Sequence, residues 1–78
     1  MYILTQNKKT IVKFSRIEVS SNLTMKKDEK YILIAYGKNG ELSNSTVIGT
    51  FPSEEDALKE LRNIFTALSA EQPVYEVR

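Results

Sequence analysis

The chain has 78 residues, eleven Lys or Arg against ten Asp or Glu (net +1), 41% hydrophobic residues, and neither Cys nor His. That composition excludes a disulfide framework and a thiolate metal site, and it removes the commonest general base and the commonest nitrogen ligand for zinc. It leaves room for one domain over residues 1–78.

No apolar run approaches the ~20 residues of a membrane span, so no membrane partner is expected. The opening Met1–Gln6 lacks a charged n-region and a longer apolar h-region, and the expected compartment is the cytoplasm. Charge is uneven along the chain. Residues 1–40 hold eight Lys or Arg against three acids, net +5, whereas residues 41–78 hold three against seven, net −4.

Met1–Thr5 is short and apolar, the polar Gln6-Asn7-Lys8-Lys9 follows, and Ile11-Val12-Lys13-Phe14 resumes with β-branched and aromatic residues. This is a hairpin pattern turning around Asn7-Lys8. Ser15-Arg16 interrupts the alternation and Ile17-Glu18-Val19 restarts it, as a bulge or a turn between strands would. Ser20–Asp28 reads as a polar loop.

Lys30–Tyr36 is the strongest strand signal, apolar on both faces: Tyr31, Leu33 and Ala35 on one, Ile32, Ile34 and Tyr36 on the other. Such a strand is expected at the centre of a sheet. Asn39-Gly40 suits a type I′ turn, and the returning strand is firm over Thr46–Phe51.

Ser53 fits an N-cap, with Glu54, Glu55 and Asp56 favouring the positive end of the helix dipole. Ala57, Leu58, Leu61, Ile64, Phe65 and Leu68 form an apolar stripe ending near Ser69. Pro73–Val77 suits a short last edge strand that begins at a proline.

These elements predict an α+β fold. A four- to five-stranded, mainly antiparallel meander sheet carries one C-terminal amphipathic helix on one face. Leu58, Leu61, Phe65 and Leu68 are expected to pack on Phe14, Ile32, Ile34 and Val47. The other sheet face is then open, including Tyr31, Leu33 and Ala35, and an exposed apolar face suits a partner.

Catalysis finds little support. No His can activate a Ser or Thr, no nucleophile elbow or Gly-rich phosphate loop occurs, and successive helical carboxylates diverge by about 100°. No catalytic, cofactor-binding or metal-ligating residues are assigned, and no cofactor is expected.

Two stretches carry a likeness to known proteins: Tyr2–Lys8 leading into Ile11–Phe14, and Gly49-Thr50-Phe51-Pro52-Ser53-Glu54-Glu55-Asp56-Ala57 followed by Leu58, Leu61 and Ile64. With the Asn39-Gly40 hairpin, they resemble small uncharacterised proteins of low-GC Gram-positive bacteria and their phages. The resemblance implies a cytoplasmic accessory protein and transfers no functional residue.

The reading is therefore a non-catalytic interaction module that binds a protein partner, or a second copy as a homodimer, through Tyr31, Leu33 and Ala35 or through a sheet edge. The alternative is an accessory protein that binds nucleic acid. There Lys13, Arg16, Lys30 and Lys38 would supply the basic track, interleaved with Phe14, Tyr31 and Tyr36.

Overall fold

The computed structural model describes residues 1–37 and 45–78. Six strands and one long helix follow in the order β1 (Tyr2–Leu4), β2 (Ile11–Lys13), β3 (Arg16–Ser21), β4 (Tyr31–Tyr36), β5 (Ser45–Phe51), α1 (Glu54–Ser69) and β6 (Val74–Glu76), with a 3-10 turn at Lys27–Glu29 before β4. The Asn39-Gly40 turn expected between β4 and β5 lies outside the described residues.

The strands form two three-stranded sheets, not one sheet of four or five. They are ordered β2-β1-β6 and β3-β4-β5. In the first, β1 pairs antiparallel with β2 and parallel with β6, so the last strand is an edge strand as expected but runs the other way from a meander.

The second sheet is antiparallel throughout. The break lies at Phe14-Ser15, where the chain leaves one sheet for the other. There the Ser15 amide donates to the Tyr36 carbonyl at 2.9 Å and its hydroxyl to the Gly37 carbonyl at 2.5 Å. Across the molecule the Gln6 amide donates to the Ile48 carbonyl at 2.8 Å, joining the sheets a second time.

One core lies between the sheets and the helix: Ile3 from the first sheet, Leu33, Ala35, Ile48 and Phe51 from the second, Ala57 and Ile64 from α1, and Val77 beyond β6. The cross-strand register explains which face of β4 turns inward. Ala35 and Leu33 stand opposite Ile17 and Val19, whereas Ile34 and Ile32 stand opposite Glu18 and Ser20. Since β3 has only one apolar face, burying it commits Leu33 and Ala35 to the core.

The expected faces are therefore exchanged. Leu33 is fully buried and Ala35 nearly so, and half-buried Tyr31 packs against the same core. The outer face carries Ile32, Ile34 and Val47 among Glu18, Ser20 and Thr50. A bulge between Leu33 and Ile34 lets β5 place Ile48 inside as well.

At Gly49 the core is too close for a side chain. A Cβ there would stand 3.1 Å from the Phe51 ring and from Val77 Cγ1.

The helix begins as its sequence dictates. Ser53 is extended, and its hydroxyl accepts the Asp56 amide at 3.1 Å. It closes with the Glu71 amide donating to Leu68 at 3.0 Å and the Gln72 amide to Ala67 at 3.1 Å, around a left-handed Glu71 with φ 57°. This is a Schellman closure, with glutamate where glycine is favoured.

Candidate functional site: an apolar groove beside the helix

The apolar arc of α1 is about 180° wide at 100° per residue, more than one core contact can absorb. The half that turns inward is Ala57, Glu60, Ile64 and Ala67. The alanines let the helix approach the sheets closely, and this rotates the larger side chains outward. Leu58, Phe65 and Leu68, expected to pack on the sheet, are 48%, 58% and 49% exposed, and Val47 is 50% exposed on the outer sheet face.

Those large side chains form one wall of an open groove of about 600 Å³. The facing wall is the corner between β2 and β3, where Phe14 and Ile17 border the core. The polar groups that line it are Ser15, Arg16 and Arg62. The Arg16 guanidinium lies 4.2 Å from the Tyr36 ring centroid, and its Nε is 3.4 Å from Glu18 Oε1. Arg62 lies 5.9 Å from the Phe65 centroid. Among the described residues no carboxylate stands within ion-pair distance of Arg62.

Two polar networks tie the C-terminal segment to the rest of the fold. Buried Glu60 receives three donors: Asn63 Nδ2 on Oε1, and the Tyr75 hydroxyl and the Arg78 amide on Oε2, each at 2.9 Å. Burial first, then the hydrogen bond to Glu60 and its charge, push the Tyr75 hydroxyl up to about 12.

Gln6 works similarly between sheets. Its Oε1 accepts the Thr50 amide at 2.9 Å, while Nε2 donates to the carbonyls of Thr50 at 3.1 Å and Arg78 at 3.0 Å. Both carboxylate oxygens of Glu60 are thus engaged, Oε1 by Asn63 within the helix and Oε2 by the C-terminal segment.

The predicted contact residues fare differently. Leu33 and Ala35 cannot meet a partner because they lie in the core, and Tyr31 is turned toward it. Lys13 is exposed near Tyr2, 6.0 Å from its centroid. Arg16 and Lys30 are exposed at opposite ends of the β3-β4 pair, about 20 Å apart at strand rise. Lys38 lies outside the described residues. Of the aromatics meant to interleave with them, Tyr36 is buried beneath Arg16, and Phe14 and Tyr31 pack on the core.

Of the four residues expected to pack on the sheet, Leu61 does border the core, whereas Leu58, Phe65 and Leu68 face the groove. The 3-4-3 spacing of the four was a usable signal, because it is the seam a second helix packs against, and Ala57 and Ala67 mark the inward face. Among the described residues no helix is long and apolar enough to cross a membrane. Comparison with known protein families, curated proteins and solved structures finds no match to this chain.

Proposed function

We propose that this protein is a non-catalytic interaction module that binds a protein partner through the groove between α1 and the β2–β3 corner. The observation that carries this reading is the row Leu58, Phe65 and Leu68, each about half exposed, along one side of an apolar cleft. Large apolar side chains gathered in one patch, unlike those scattered singly, mark contact surfaces.

The outer sheet face is a poorer candidate, since Glu18, Ser20 and Thr50 interrupt Ile32, Ile34 and Val47. The non-catalytic part of the reading draws on the role of Glu60, whose carboxylate is consumed by structural donors.

The test is affinity capture with the wild-type chain and with Phe65→Glu. Phe65 is exposed, so the substitution should leave the unfolding midpoint nearly unchanged while a stoichiometric partner is lost. A partner retained equally by both proteins would refute the assignment of the groove.

A further inference from the structure

We infer that the occupant of this groove is an amphipathic helix from another protein, with carboxylates flanking its apolar face. The inference rests on the groove being a protein-binding site and names what it receives. The wall offered by α1 repeats Leu58, Leu61, Phe65 and Leu68 at alternate steps of three and four, the spacing into which the knobs of a second helix insert. From Leu58 to Leu68 this wall runs about 15 Å, two to three turns of a partner helix.

Charge decides the character of that helix. The groove is lined by two arginines and no carboxylate. Glu18 already stands beside Arg16, which leaves Arg62 as the rim cation with no ion-pair partner among the described residues. The first-turn carboxylates Glu54 and Glu55 lie beyond the Leu58 end, so the cationic stretch is the middle of the groove. A partner carboxylate laid over Phe65 would meet Arg62 where apolar contact excludes water and strengthens the pair.

A second copy of this chain fits less well. The three half-exposed side chains leave on the order of 300 Å² of apolar surface, against about 800 Å² per partner in a standard stable interface. A two-fold axis matching Leu58 with Leu68 and Leu61 with Phe65 would pass near Asn63. The two Arg62 side chains would then lie side by side, like charge against like charge.

The experiment is a backbone-amide NMR titration with two synthetic two-heptad peptides. Both carry Leu at the seam, and the flanks carry Glu in one and Lys in the other. The acidic peptide should shift the amides of Leu58–Leu68 and Phe14–Ile17 and bind at least about tenfold more tightly than the basic one. Its affinity should fall as salt rises, and Arg62→Glu should invert the order.

Equal binding of both peptides at the groove would overturn the acidic partner and leave the interaction site standing. No shift at the groove with either peptide would overturn both. A dimer in sedimentation that Phe65→Glu abolishes would replace the inferred occupant with a second copy.

Discussion

Removing the Glu60 carboxylate should be among the most damaging single changes in this protein. Three donors converge on its two oxygens, and two of them, the Tyr75 hydroxyl and the Arg78 amide, belong to the C-terminal segment. In Glu60→Ala each loses a bond to a charged acceptor worth about 1.5–3 kcal/mol. Tyr75 and Asn63 are only partly buried and Arg78 is exposed, so water can replace part of each bond, which reduces the total to about 3–4 kcal/mol. That is a large share of the ~5–15 kcal/mol by which small domains are stable.

Glu60→Gln separates charge from contact. Its carbonyl can still face Tyr75 and Arg78, and its amide can face Asn63 once that side chain flips, so about 1–2 kcal/mol should be lost. Urea unfolding measures both, and an unchanged slope would show that midpoint differences report stability. If Glu60→Ala lies within 1 kcal/mol of wild type, the network does not hold the C-terminal segment as its geometry implies.

Four further outcomes are expected. Because the Tyr75 hydroxyl is raised to about 12 in the fold from about 10 in the unfolded chain, its contribution is complete below pH 10 and is lost as pH rises through 12. Solvent around the half-buried ring limits that loss to about 1–2 kcal/mol, and Tyr75→Phe should flatten the decline in an alkaline denaturation series. Glu71→Gly should stabilise by about 0.5–1 kcal/mol in thermal unfolding, because glycine relieves the left-handed φ of 57° at the helix closure. Gly49→Ala should destabilise by about 1–3 kcal/mol, since its methyl group would press on the Phe51 ring and on Val77. Ser53→Ala should cost about 1 kcal/mol through loss of the bond to the Asp56 amide.

Local chemistry was legible in the sequence wherever one residue type decides the backbone. The Asn7-Lys8 hairpin turn, the Ser53 cap, the helix end at Ser69 and the edge strand after Pro73 all form as their residues suggest. The division into two sheets was foreshadowed at Ser15-Arg16, but the interruption itself could not say whether the chain bends within a sheet or leaves it.

The face of β4 was not legible from β4 alone, because a strand apolar on both sides carries no parity. Its parity comes from Glu18 on β3, and using that required the register. The rotation of α1 was hidden for a related reason. A 180° arc has two halves of similar hydrophobicity, and the choice between them rests on the small size of Ala57 and Ala67 and on a buried acid that periodicity counts as polar. The parallel pairing of β1 with β6 left no local mark, since it joins residues at opposite ends of the chain. Leu33 and Ala35 are enclosed, and the exposed large side chains Leu58, Phe65 and Leu68 lie on the helix side of the same core.

That pairing has a bearing on how the chain reaches its native state. The Gln6–Arg78 bond spans 72 positions, and drawing such distant segments together costs roughly 4 kcal/mol in lost chain freedom. The β3-β4-β5 unit and the helix join neighbouring segments, whereas Ile3 and Val77 enter the same core from distant parts of the chain. Residues 74–78 thereby act as the clasp of the fold, pairing with β1 and reaching the helix through Glu60.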